Sequence, residues 1–176
     1  MLLVWLQNWI FLIQCCLIYN PVYFLFKKQS LEDREIKTQN SSNYHIYQLN
    51  RQTREGVGIA IGVDKSLDPV WINEGNDDIE LLNVEVDFSG FKVRCVCGYG
   101  PQENASLEKK QNFWTKLSLD VEGANDAETG IIIQMDGNLW AGQELIKGDP
   151  NKMNNNGRHF KNFLEKNKHR TVVKYV

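Results

Sequence analysis

LNVEVDF-SG-FKVRCVCGY, residues 82–99, is the stretch that decides the local fold. Apolar and polar residues alternate in both halves, which is the pattern of β-strands that bury one face. Because only Ser89-Gly90 separates the halves, the pattern predicts a two-residue β-hairpin that stops before Pro101. Lys92 and Arg94 are expected to face solvent. The residues expected to be buried are Phe91, Val93, Cys95 and Cys97.

The sequence around this hairpin predicts a layered α/β domain. A buried strand is expected over residues 57–63, and residues 107–121 show helical spacing of apolar residues. The most apolar run of the body, residues 130–135, predicts a central strand. A last helix is expected after a loop over residues 147–157. The order β, β, β, α, β, α then places helices over sheet faces.

Length, composition and charge exclude several classes of protein. One domain is expected for 176 residues, and 42% hydrophobic with 24% charged residues excludes disorder, collagen and a polytopic membrane protein. The net charge of -2 argues against a general nucleic-acid coat, although a local basic face remains open. Residues 158–176 hold six basic residues and one acidic residue, a run typical of a solvated helix face or of a face that meets DNA.

The first 26 residues differ in composition from the rest, because no charged residue precedes Lys27. They are long enough to span a bilayer but lack the basic start and cleavage site of a signal peptide. Two interpretations stay open, a membrane anchor and a fortuitous extension outside the fold, and the sequence favours the second. Residues 27–52 are predicted to be a polar linker, and residues 53–176 the domain. Four cysteines are too few for a disulfide scaffold at this length, which fits a reducing, intracellular compartment.

Asp136-Gly137-Asn138 directly follows the predicted central strand. In an extended chain, residues 136 and 138 point the same way, which sets a carboxylate beside an amide. Such a pair suits phosphoryl chemistry, because the carboxylate can orient or deprotonate water and the amide can donate to a phosphate oxygen. Taken alone, Asp-Gly-Asn is more typical of a turn.

Three segments in this order resemble motifs of the endonuclease/exonuclease/phosphatase superfamily, the fold of apurinic endonucleases and of the endonuclease domain of non-LTR retrotransposons. They are GYGPQ (98–102), QMDGNLWAG (134–142) and NGRHFKNFL (156–164). The resemblance covers about residues 53–176. Its most specific part is the Asp-x-Asn motif followed by the Asn-Gly-Arg-x-Phe helix start, which is close to the retrotransposon branch.

The resemblance implies a four-layer α/β sandwich, with two mixed sheets flanked by helices around a divalent-metal site. It implies Mg²⁺-dependent hydrolysis of DNA, no small-molecule cofactor, and a nuclear location, with a membrane as the alternative if residues 1–26 are an anchor. Asp136 would activate or orient the water, Asn138 would contact the scissile phosphate, and Tyr99 would supply a phenol near it. For Tyr99 the residues alone favour a strand-end tyrosine that packs its ring.

Several positions depart from the family's pattern. Gln102 stands where an Asn is usual, Met135 where a Gly is usual, and Gly137 where a Phe or Leu is usual. The family's metal-binding Glu belongs to an upstream strand, whereas Glu32 and Glu35 lie in the polar linker. The family's final Ser-Asp-His motif does not occur in the sequence.

These departures lead us to expect a partial domain, truncated at both ends. We expect it not to bind Mg²⁺ in a catalytically competent way and to be inactive. The alternative is a non-catalytic, membrane-anchored or binding protein that reuses the scaffold. If the resemblance holds, Tyr99 and Asp136 come from neighbouring strands that end at the same edge of one sheet, with Asn138 beside them.

Overall fold

The computed structural model describes residues 10–17, 20–28, 39–40, 43–49, 57–73, 79–88, 90–139 and 153–167. They form an α/β fold of two sheets and two helices, as predicted. The first sheet contains β1 (Ile10–Leu17), β2 (Asn20–Lys28), β3 (Gln39–Asn40), β4 (Tyr44–Leu49) and β5 (Val57–Asp64). The second contains β6 (Val70–Asn73), β7 (Leu81–Phe88), β8 (Phe91–Tyr99) and β9 (Gly130–Asp136). The helices are α1 (Leu107–Asp126) and α2 (Asn155–Asn167).

The second sheet, in the order β6-β7-β8-β9, carries the candidate site. β7 and β8 form the predicted antiparallel hairpin, with Phe88 opposite Phe91. Gly90 has a φ of 91°, a conformation that glycine adopts without strain, and its N–H donates to the Asp87 carboxylate at 2.5 Å. β8 and β9 are parallel, and α1 makes the crossover that parallel strands require.

Two apolar cores cover the two faces of this second sheet. The core between the sheets contains Ile59, Ile61 and Val63 from β5 and Val84, Val86, Val93, Cys95 and Cys97 from the hairpin. The core under the helices contains Leu81, Val96, Phe113, Trp114, Leu117, Val121, Phe160 and Phe163. The described residues therefore form three layers, in the order sheet, sheet and helices.

The hairpin's burial differs from the prediction at two positions. Val93, Cys95 and Cys97 are buried as predicted, but Phe91 is 59% exposed because it lies beside the turn, where its ring covers Gly130. Arg94 was expected to face solvent. Its side chain is only 11% exposed, because α1 covers that face and accepts a hydrogen bond from Arg94 at the Asp120 carbonyl.

The first sheet includes residues that were predicted to lie outside the domain. Residues 1–26 were expected outside the fold, but β2 pairs with β5. The pairing runs from Val22 opposite Val63 to Lys28 opposite Val57. β4 falls within the predicted linker 27–52 and pairs with the other edge of β5. The physical reason is that β5 is buried, so its backbone N–H and C=O groups need partners on both sides. Every described pair in this sheet is antiparallel, so only the second sheet is mixed.

The two predicted helices are present with extended bounds. α1 runs on to Asp126 and begins with an N-cap, since the Ser106 hydroxyl accepts the Lys109 N–H at 3.2 Å. α2 begins at Asn155, so the last three residues of the predicted loop 147–157 are helical and the part over 147–152 lies outside the described residues. Neither helix of the described ranges is long and apolar enough to cross a membrane.

Candidate functional site

The candidate site lies at the edge of the second sheet where β8 and β9 both end. The last residues of the two parallel strands, Tyr99 and Asp136, are paired directly. Just beyond them, the Gly100 N–H donates to the Asp136 carbonyl at 2.6 Å. Since neighbouring strands lie about 4.8 Å apart, this pairing brings a phenol-bearing and a carboxylate-bearing residue to one edge. The predicted placement of Tyr99 and Asp136 is therefore confirmed, while their chemical roles stay predictions.

Residues 136–138 form a turn, which corrects the expectation of an extended chain. The Asp136 carboxylate accepts the Asn138 N–H at 3.1 Å, and Asn138 has a φ of 45°. Asparagine tolerates this left-handed conformation better than most residues, because its short polar side chain can bond locally. The Asn138 amide nitrogen donates to the Gly100 carbonyl at 2.7 Å. Asn138 thus stays at the edge through a cross-loop hydrogen bond rather than through strand alternation.

Gly100 lets the two loops at the edge approach each other. A β-carbon at Gly100 would lie 2.6 Å from the Gly137 carbonyl oxygen, and one at Gly137 would collide with the Leu139 side chain. A larger residue at position 137 would therefore require the Leu139 side chain to move.

Tyr99 is half-buried and packs against the core between the sheets. That packing was the alternative that the residues alone favoured. A tyrosine ring can pack on one side and still present its hydroxyl at a rim, because the side chain is apolar along its body and polar at its tip. Asp136, by contrast, is exposed.

Asparagines at the start of α2 complete the edge, although no sequence pattern predicted a role for them. Asn154 donates to the Asn138 carbonyl at 3.0 Å, and Asn156 donates to the Pro101 carbonyl at 2.6 Å. Asn156 also accepts from the Trp114 indole N–H at 3.3 Å, which connects α1 to the same edge. The available signal was the run Asn154-Asn155-Asn156 just before Gly157, at a predicted helix start.

Cationic and aromatic groups lie near the amino ends of the two helices. Lys110 is buried and its ammonium donates to the Glu103 carbonyl at 2.6 Å. The His159 ring stacks on Trp114 with a centroid distance of 6.5 Å. Burial, and then the positive charge of Lys110, lower the pKa of His159 below its usual value. Arg158 is exposed and donates to the Asn155 side chain at 2.8 Å.

The described residues do not fit the Mg²⁺ that the family resemblance implies. Across the described ranges, no three His, Cys, Asp or Glu side chains converge as a metal site would require. Glu32 and Glu35, the two carboxylates considered upstream, lie outside the described residues. Two carboxylate-bearing residues of the described ranges lie at this edge: Asp136, and Glu80, whose backbone carbonyl accepts the Tyr99 N–H at 2.9 Å.

Comparison with solved structures finds seven chains that match this one. The chain is similar to the "Endonuclease domain of TRAS1, a telomere-specific non-LTR retrotransposon". The TM-score is 0.45 at 17% sequence identity, over 70% of this chain and 52% of that one, so the chain spans about half the length of the TRAS1 domain. Similarity at this level assigns no role to any residue. No protein-family model and no curated protein sequence matches the chain.

Proposed function

We propose that this chain is an endonuclease-type scaffold that holds a DNA phosphodiester against the edge formed by the ends of β8 and β9. Under this proposal it is related to the metal-dependent endonuclease domain of a non-LTR retrotransposon, acts in the nucleus and cleaves DNA negligibly. The observation that carries the proposal is the direct pairing of Tyr99 with Asp136 at the carboxyl ends of parallel strands. In layered α/β folds, ligands bind in the crevice outside such strand ends.

The groups around the edge suit an anionic backbone. The first turn of α2 lies against the loop that holds Asn138, and the amino end of a helix carries a partial positive charge and unpaired N–H groups. Exposed Arg158 lies in the same turn. The Asn138 amide has two N–H groups, of which one donates to Gly100. We assign the second to a phosphate oxygen of the DNA.

Among the described residues, the edge shows no metal site that would support rapid hydrolysis of a phosphodiester. Asp136 can orient a water molecule, but the transition state also requires charge stabilisation by a metal ion or by positioned cationic donors. The described residues do not fit a metal site, and the 176-residue sequence contains no Ser-Asp-His motif that would supply a histidine. We therefore expect contact with DNA without efficient cleavage.

A change of charge at Asp136 tests whether a phosphate lies at the edge. We expect Asp136→Asn to tighten binding of a fluorescein-labelled DNA duplex, measured by fluorescence anisotropy in EDTA. Removing a carboxylate about 4 Å from a phosphate relieves about 1 kcal/mol of repulsion in water, which corresponds to about a fivefold lower Kd.

Asp126→Asn is the matched control for this measurement. Asp126 is also exposed, and its replacement by Asn changes the net charge by the same amount. It is the last residue of α1, beside the opposite end of β9. We expect its Kd to equal that of the wild type. Equal affinities for the two variants, or no binding of the duplex by the wild type, would contradict the proposed function.

A further inference from the structure

Asn156 joins three parts of the molecule that meet at the edge. It is the second residue of α2 and is fully buried. Its side-chain oxygen accepts from the Trp114 indole N–H on α1 at 3.3 Å. Its nitrogen donates to the carbonyl of Pro101, after β8, at 2.6 Å and to the carbonyl of Asn138, after β9, at 3.3 Å.

We infer that Asn156 is the positioning residue that holds the loop after β8 and the loop after β9 in register at this edge. Its amide uses both its donor and its acceptor capacity within the protein, so Asn156 itself contacts no DNA. The inference rests on the proposed function for what the edge does. The way in which the two loops are held together is inferred only from contacts among the described residues.

The contacts of Asn156 differ in how replaceable they are. The Asn138 carbonyl also accepts from Asn154 at 3.0 Å, so it keeps a donor when Asn156 is removed. The Pro101 carbonyl depends more heavily on Asn156, whose hydrogen bond to it is the shorter of the two. A partly buried carbonyl that loses its partner destabilises its loop, so the loop after β8 should open more than the loop after β9.

The packing of the Trp114 ring fixes the N–H group that donates to the Asn156 side-chain oxygen. That ring lies 5.8 Å from Phe160 and 6.1 Å from Phe163 between centroids, and it is 4% exposed. A ring fixed in this way offers its N–H from a constant position. The orientation of the Asn156 amide is therefore set by the packing of α1 against α2, and the amide in turn sets the spacing of the two loops.

Hydrogen exchange at two amides tests this inference independently of DNA. Gly100 N–H donates to Asp136, and Asn138 N–H donates to the Asp136 carboxylate, so each amide reports on one loop. In Asn156→Ala we expect exchange at least tenfold faster at Gly100, a smaller increase at Asn138, and no change in the middle of β8. A purely structural role would instead accelerate exchange throughout the domain.

Asn167→Ala is the matched control on the same helix. Asn167 is 5% exposed and its side chain donates to the Phe163 carbonyl at 2.8 Å, so it has a comparable local role at the other end of α2. We expect exchange at Gly100 and Asn138 to be unchanged in this variant. Equal exchange at these two amides in Asn156→Ala and Asn167→Ala would overturn the inference.

A second variant keeps the test decisive if Asn156→Ala fails to fold. Trp114→Phe removes the indole N–H and makes the ring smaller, and we expect about threefold faster exchange at Gly100 with no change in the middle of β8; no change at Gly100 would overturn the inference. DNA affinity separates the two proposals. If the wild type binds no DNA while Asn156→Ala still loosens Gly100, the proposed function fails and the positioning role stands.

Discussion

A methyl group at Gly100 probes the closest approach of the two loops that form the edge. The β-carbon of Gly100→Ala would lie 2.6 Å from the Gly137 oxygen and 2.8 Å from its carbonyl carbon. Ordinary van der Waals contact begins at 3.4 Å, so one loop must move by about 0.8 Å. Because the obstacle is backbone, no side-chain rotation can relieve the collision.

The expected loss follows from what that movement breaks. Overpacking costs about 1–3 kcal/mol, and lengthening the hydrogen bond from Gly100 to Asp136 costs about 1 kcal/mol more. We therefore expect the free energy of unfolding to fall by about 2–4 kcal/mol, measured by urea denaturation with an unchanged m value. A loss below about 0.5 kcal/mol, typical of an ordinary surface substitution, would refute the close approach of the loops.

Gly123→Ala is the control for this substitution. Gly123 is exposed within α1, and a β-carbon there would lie 3.4 Å from the Arg94 guanidinium, an ordinary contact. Alanine favours a helix over glycine, so we expect a gain of about 0.5–1 kcal/mol.

Three further predictions concern the rest of the fold. Deletion of residues 1–28, which removes β1 and β2, should cause aggregation because it exposes an edge of β5, whereas deletion of residues 1–9 should not. If size-exclusion chromatography shows that the two truncated chains are equally soluble, the β2–β5 pairing is contradicted. Burial raises the pKa of the Cys97 thiol, so Cys95 and Cys97, both buried, should react with a thiol reagent only in urea; fast native labelling of either would contradict their burial. Burial, and then the charge of Lys110, lower the pKa of His159, so below about pH 6.5 the unfolded state binds more protons than the folded state. The urea midpoint of unfolding should therefore fall as the pH drops through this window. This pH dependence should weaken in His159→Asn.

The sequence predicts those parts of the fold that local patterns determine. The alternation in residues 82–99 predicts the hairpin and most of its buried face, because period-two patterns follow directly from strand geometry. Phe91 departs from its alternation because the end of a strand extends beyond the layer that covers its middle. β4 was missed because its residues, Tyr44-His-Ile-Tyr-Gln-Leu49, mix polar and apolar side chains on each face.

The candidate site is only partly accessible to such reasoning. The meeting of Tyr99 with Asp136 was predicted from the family resemblance, and the direct pairing of β8 with β9 confirms it. The turn at Asn138 and the role of Asn156 could not be predicted. Asn156 bonds to a carbonyl 55 residues away, and no local periodicity encodes a contact of that separation.

Nicking of supercoiled plasmid DNA in Mg²⁺ by the purified chain tests most directly the claim that this edge contacts DNA without cleaving it. We predict negligible nicking by the wild type, and the same result for Asp136→Ala, because the described residues do not fit a metal site and no Ser-Asp-His motif is present. Robust nicking by the wild type that Asp136→Ala abolishes would contradict the account.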